Sequence, residues 1–443
     1  MNDVIKGGTL LAICLIVSKA LGALYRIPLT NGLGTEGIGI YQTVFPFYTI
    51  LLTVSSTGIP NGLAKIIGEG KNPQKVLYKS IIAFGTLGIA GSVVMTLSAK
   101  SLSIIQGSPS SYTAYLAIAP SVFFVSLLSC YRGYFQGKNN VLPTGVSQVT
   151  EQAIKLLLGL VILKTLKPSG AEGATYLCLA VTASEISALL FMVLYKRQKC
   201  LYKPVNGINY DNSGADVNVR DIIKIVLPVT LTALLLPTSR FIDSFIAINF
   251  MKKYSDDAIG LYGIYMGAVE SIVGLPVALC YGISVTGLPK ISKNKTGNDY
   301  KKILIYTAVT ATLGAITTLA FSDLAIKILY PRFQETEKSV AVNLLRISSL
   351  QVLSLPITQA CTLVLIGKDK LYAPTVFLGA GVMIKIFTSL FLLAIPSVNI
   401  YGMAFSDIAC YFVAGFCNLL YIISIEKQRT VFSVISDRIQ TKT

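Results

Sequence analysis

Eleven ionisable side chains lie inside strongly apolar stretches of this 443-residue sequence, and they are its candidates for chemistry. Six are cations, Lys19, Arg26, Lys155, Arg240, Arg346 and Lys385, and five are acids, Glu151, Glu185, Asp243, Glu270 and Asp407. At the centre of a helix facing lipid, each would cost about 2.5–3.5 kcal/mol, so most must face protein or a wet cavity. Lys19 and Arg26 stand seven apart, share one helix face and repel. That placement suits reception of an anion; the alternative is that Arg26 snorkels to the outer headgroups. Arg240 and Asp243 are three apart, and Glu151 and Lys155 four apart, so each couple either forms a local ion pair or contacts a substrate. Glu270 has no charged neighbour at helical spacing and reads as a cation or proton site. Glu185, Arg346, Lys385 and Asp407 could equally hold two lobes together. Together these groups describe a polar, partly cationic cleft, suited to an anionic, sugar-like head whose apolar tail stays in lipid.

Missing residue types narrow the chemistry. Histidine and tryptophan are absent, which excludes histidine-based metal and nucleophile constellations. The eight cysteines fall in apolar runs or, for Cys200, in a basic loop, at no metal-binding spacing, and are expected to pack unpaired. No P-loop is present, so ATP is not the direct energy source. No cofactor or metal is expected, and coupling to Na+, H+ or the membrane potential is the alternative drive. The longest outward loop, about 322–339, offers only Asp323, Glu335 and Glu337, too little for a membrane-embedded glycosyl- or phosphotransferase. The expected protein is not an enzyme.

The elements that position these charges are membrane spans. The chain is 53% hydrophobic and 13% charged, about half the charge of a soluble domain. Spans of about 20 apolar residues are predicted at 4–28, 38–63, 79–99, 112–135, 144–165, 173–195, 221–250, 259–289, 302–322, 340–366, 372–395 and 400–424. The opening apolar run, preceded only by Lys6, is expected to be the first span and not a cleaved signal. Of the 38 Lys and Arg, 24 fall in alternate segments that include both termini, and 8 in the others. That bias places both termini in the cytoplasm. It also accounts for most of the +17 net charge as topology and lipid contact, with no nucleic-acid partner expected.

The spans form two echoing halves. Gly137-Lys138 returns as Gly367-Lys368, Pro143-Thr144 as Pro374-Thr375, and Lys155 as Lys385. Ile38-Gly39-Ile40-Tyr41 returns as Ile259-Gly260-Leu261-Tyr262, and Gly58-Ile59-Pro60 as Gly287-Leu288-Pro289. The predicted fold class is an all-α integral membrane protein of about 12 transmembrane helices, two six-helix lobes around a central cleft. Residues 1–200 form the first lobe, 201–220 a cytoplasmic linker, 221–425 the second lobe and 426–443 a cytoplasmic tail. A monomer is expected, in contact with membrane lipids and a lipid-linked sugar.

Two stretches carry a family resemblance. Residues 18–65, SKALGALYRIPLTNGLGTEGIGIYQTVFPFYTILLTVSSTGIPNGLAK, and 131–155, YRGYFQGKNNVLPTGVSQVTEQAIK, resemble the stage V sporulation protein B group. A fainter match is LPVTLTALLLPTSRFIDSF, with Asp243 at the family's acidic position. The group belongs to the polysaccharide-transporter branch of the multidrug/oligosaccharidyl-lipid/polysaccharide (MOP) superfamily, beside the MurJ-type lipid II flippases. The resemblance implies export of an undecaprenyl-linked sugar intermediate from the inner to the outer leaflet, by alternating access. It also implies that Arg26, which matches the helix 1 arginine of MurJ-type proteins, engages a diphosphate. Localisation would be the cell membrane, or the forespore membrane for a spore-cortex role. Typical members have fourteen spans where about twelve are expected here, which leaves the sugar open. A cation-coupled multidrug exporter of the same architecture is the second reading; it would want an acidic, aromatic-lined pocket.

Overall fold

In the computed structural model the described residues are 2–56, 58–200, 230, 233–293, 299–370 and 372–440. Side chains are described within these except at 2–13, 15, 16, 19, 23, 56, 199, 200, 285–293, 299 and 428–440. Every regular element among them is helical. Ten helices there are long and apolar enough to cross a membrane. Large apolar side chains point outward along them, among them Leu97 (78% exposed), Leu279 (74%) and Phe391 (73%), as lipid-facing surfaces require.

Ten stands against the twelve spans expected, for two reasons. The spans expected at 4–28 and 38–63 follow one another without a loop inside α1 (Asn2–Ser56), as two helices meeting at a break at Gly34, where φ is 72° and ψ 178°. Only glycine takes that backbone without strain, and a single residue replaces the expected loop. The span expected at 221–250 lies largely outside the described residues, as does the linker at 201–220; what is described of that span is α8 (Leu235–Met251).

Packing groups the chain into two compact units, Met1–Ser271 with Leu329–Glu337, and Ile272–Ile328 with Lys338–Thr443. The first unit holds α1, α2 (Gly58–Gly68), α3 (Pro73–Ile105), α4 (Tyr112–Ile118), α5 (Ser121–Gly137), α6 (Leu142–Thr165), α7 (Gly170–Cys200), α8 and α9 (Ala258–Gly263). Asn72 starts α3, its side chain accepting from the amides of Gln74 (3.0 Å) and Lys75 (3.3 Å), with Pro73 preset at the first turn. Pro120 lies at the bend between α4 and α5, which together make one candidate span, 109–137. On α5, Gly133 and Gly137 let the helix settle on α2. A Cβ at Gly133 would lie 2.9 Å from Pro60 Cα, and one at Gly137 2.6 Å from Ile67 Cβ.

The echoing motifs at Ile38 and Ile259 pack against one another. A Cβ on Gly39 would fall 2.1 Å from the Ile259 carbonyl oxygen, and one on Gly263 2.2 Å from that of Thr35. Side-chain-free backbones therefore cross here. After Gly263 the helix widens into a π turn, Ile264–Val269. Two of the carbonyls displaced by that widening receive donors: Gln42 Nε2 donates to Met266 O (3.2 Å) and Tyr330 OH to Ala268 O (3.4 Å).

The second unit holds the body of α10 (Glu270–Lys293), α11 (Asp299–Ala320), α12 (Ser322–Leu329), α13 (Glu335–Gly367), α14 (Tyr372–Leu392) and α15 (Tyr401–Gln440). Its α14 and α15 meet at Gly381, whose missing Cβ would stand 2.6 Å from Cys410 O. Beside that crossing, Lys385 Nζ pairs with Asp407 Oδ1 at 2.6 Å, both side chains under 10% exposed. Lys368 pairs with Glu426 and stands 4.2 Å from the centre of the Tyr300 ring.

Candidate functional site

Within the first unit, a cavity of about 220 Å³ opens between the second half of α1 and helices α5, α6 and α7. Ser147, Glu151 and Lys155 recur every fourth residue along α6 and so form one stripe. The link between α5 and α6 is short, turning through Asn139 at φ 56°, so the two helices are antiparallel neighbours. Arg132 lies six residues before that link and meets the stripe at matching depth. Its Nη2 pairs with Glu151 Oε2 at 2.9 Å, and its Nε donates to Ser147 Oγ at 3.0 Å. Gln152 Nε2 donates to the other Glu151 oxygen at 3.0 Å.

Two sequence expectations change here. The i,i+4 couple of Glu151 and Lys155 is not the ion pair formed: Glu151 bonds Arg132, and Lys155 Nζ stands over the Tyr25 and Phe45 rings, 5.3 and 5.7 Å from their centres. A cation on an aromatic face keeps partial compensation for its charge without a carboxylate. Arg132, near the end of the span predicted at 112–135 and not among the eleven embedded charges, lines the cavity with its side chain 11% exposed. Its place in the 131–155 stretch was the available signal; charge counting along the sequence assigns it to the nearest loop because it sits near a helix end.

Glu185 on α7 completes the cavity. It is 4% exposed, and its Oε2 has no hydrogen-bond partner among the described residues. Glu151, Arg132, Lys155 and Tyr48 surround it electrostatically. Arg26, on the first half of α1 and partly buried, acts on Lys155, Arg240 and Glu270, with Tyr41 and Tyr330 beside it. Arg240 is exposed on α8, whereas Asp243, one turn on, is 3% exposed. Lys155 therefore belongs to two neighbourhoods, the cavity and the cationic group around Arg26.

Six of the ten site residues expected from sequence thus act electrostatically on one another within one unit, Arg26, Glu151, Lys155, Glu185, Arg240 and Glu270, and a seventh, Asp243, lies one turn from Arg240 on α8. Lys385 and Asp407 form their own pair in the second unit. The side chain of Lys19 lies outside the described residues. Among the described residues no cluster of acids and cysteines has metal-binding geometry. The arrangement is suited to binding an anion beside several cations.

Comparison with known proteins agrees with this architecture. The chain is 23% identical over 349 residues to stage V sporulation protein B of Bacillus subtilis (strain 168), an alignment covering 74% of this chain and 66% of that protein. It is also 23% identical over 350 residues to lipid II flippase MurJ of the same organism, covering 72% of this chain and 62% of that one. The chain thus spans about two thirds of the length of these relatives. A solved inward-facing structure of a multidrug resistance MATE family transporter of the MOP superfamily superposes with a TM-score of 0.73 at 15% identity, covering 93% of this chain and 96% of that one. This multi-pass membrane protein therefore has the fold of MOP-superfamily transporters. Residues 4–295 match the family model described as polysaccharide biosynthesis protein, and the chain belongs to that family.

Proposed function

We propose that this chain is a flippase carrying an undecaprenyl-linked oligosaccharide from the inner to the outer leaflet of the cell membrane by alternating access. The cargo would be a peptidoglycan or spore-cortex precursor or another polysaccharide intermediate. The observation that carries this reading is the grouping of Arg26, Arg240 and Lys155 within electrostatic reach, with Glu270 the acid beside Arg26. Cations that repel each other inside a membrane protein are stabilised when an anion arrives, and a diphosphate offers several acceptor oxygens to guanidinium forks. The names of the two relatives, a sporulation protein and a lipid II flippase, support a lipid-linked sugar as cargo. The multidrug reading is disfavoured because Lys155 occupies the aromatic faces of Tyr25 and Phe45 that a cationic drug would use. Glu185 and Glu270 are the candidates for ion coupling.

The test is accumulation of lipid-linked precursors in a deletion strain, read by mass spectrometry, with the chain or its variants supplied in trans. Arg26→Ala removes charge-assisted hydrogen bonds worth about 1.5–3 kcal/mol and should lower transport by about 10- to 100-fold at unchanged membrane abundance. Arg26→Lys should retain part of the activity. Wild-type transport in Arg26→Ala would overturn the anion site, and no accumulation in the deletion strain would overturn the flippase reading itself.

A further inference from the structure

Arg346 takes no part in the site above. It lies inside a candidate span, on α13, and is exposed. Its Nε donates to Ser322 Oγ at 3.2 Å, and that hydroxyl, 1% exposed, donates in turn to Leu319 O at 3.1 Å. The guanidinium is thus anchored at one edge. No carboxylate among the described residues lies within ion-pairing distance of it. Asp323 is engaged by Lys327 at 2.8 Å, and Glu337 by the Thr35 hydroxyl at 2.7 Å. A fixed cation in a span without a carboxylate is costly unless its remaining donors meet an anion or water.

An open depression of about 470 Å³ lies beside it in the second unit. Asn343 and Arg346 share one face of α13, Ser397 comes from the turn before α15, and Tyr401 and Phe405 from its first two turns. The depression leads onto an apolar face. Phe405, Phe412 and Phe416 follow one another along α15 at 45%, 64% and 53% exposure, and Leu350 on α13 is 54% exposed. A largely apolar pocket carrying Asn343, Ser397 and one guanidinium with no carboxylate partner among the described residues, continuous with an outward apolar stripe, matches a molecule that is anionic at one end and aliphatic beyond.

We infer that this depression seats the phosphate of an anionic membrane lipid, held by the free edge of the Arg346 fork, with the acyl chains lying along the Phe405–Phe412–Phe416 face. Asn343, Ser397 and Tyr401 supply further polar contacts around the phosphate. The charge bias assigns this end of α13 to the outer side, so the lipid would belong to the outer leaflet. The site is independent of the flippase reading.

Native mass spectrometry of the full chain released from detergent micelles tests it, with phosphatidylglycerol as probe, diacylglycerol as the phosphate-free control and inorganic phosphate in large excess as competitor. A phosphatidylglycerol adduct should persist that diacylglycerol does not form and inorganic phosphate does not displace. Arg346→Gln and Asn343→Asp should each reduce its occupancy by about tenfold or more, the scale of one charge-assisted bond. Asn343→Asp keeps Arg346 and changes an exposed position, placing a carboxylate one turn away to occupy the fork. Arg346→Lys should retain a weaker adduct. Unchanged occupancy in either neutralising variant, or equal retention of diacylglycerol, would overturn the site. Displacement by inorganic phosphate would do so too, by making the occupant a soluble anion.

Discussion

Replacing Arg132 with methionine would leave Glu151 a carboxylate stripped of its cation. The pair is 2.9 Å long, with side chains 11% and 16% exposed, and Arg132 also donates to Ser147 Oγ at 3.0 Å. Breaking a buried pair by removing one partner costs about 3–5 kcal/mol. Gln152 still bonds Glu151 at 3.0 Å, and Lys155 stays within electrostatic reach, which relieves part of the uncompensated charge. The expected loss is therefore at the low end, about 3 kcal/mol. At about 2 °C per kcal/mol, the lower bound for chains of 150–250 residues, the melting temperature in detergent should fall by about 6 °C. Glu151→Met removes the other end, and the double variant should recover most of the loss, because both charges then leave the interior together. A thermodynamic cycle on Arg132 and Glu151 should give a coupling of about 2 kcal/mol, and one on Lys155 and Glu151 less than about 1. The reverse order of couplings would refute the pairing and reinstate the i,i+4 bond that helical spacing alone suggests.

Two more outcomes follow from packing. Gly263→Ala should destabilise the protein by about 1–3 kcal/mol, because its Cβ would stand 2.2 Å from Thr35 O and 2.7 Å from Gly39 N, backbone atoms that no rotamer change can move. Gly274→Ala, with nothing within 4 Å of its Cβ, should instead stabilise α10 by about 0.5–1 kcal/mol; thermal melts showing the same sign for both would discredit the backbone-crossing account. In the second unit, Asp407→Asn leaves Lys385 buried without its 2.6 Å counter-charge and should cost about 3–5 kcal/mol. The swap Lys385→Asp with Asp407→Lys should recover part of that, and a melting temperature unaffected by Asp407→Asn would remove the pair's structural role.

The family relation was legible because it rests on local strings, such as residues 18–65, that persist whatever the chain's tertiary contacts. Of the candidate site, the membership of Arg26, Lys155 and Glu185 was readable, since a charge inside an apolar run is conspicuous. Partner choice was not. Helical spacing offers Glu151 only Lys155, whereas a guanidinium 19 positions earlier reaches it with better geometry once α5 and α6 lie antiparallel. Arg132 stayed hidden because nearness to a helix end looks the same in sequence whether the side chain turns outward or inward.

The sequence by itself determined that this is a helical membrane protein with charges that must be sheltered. Composition, span length and the cost of bare polar groups in lipid leave no other economy of structure. It also determined the echo between Ile38-Gly39 and Ile259-Gly260. Only the tertiary structure decided that these two motifs touch, with glycine backbones crossing where a methyl group would not fit. It likewise decided that one residue, Gly34, does the work of the loop expected between the first two spans. Such outcomes depend on distances between residues far apart in the chain, and periodicity along a helix carries no information about them.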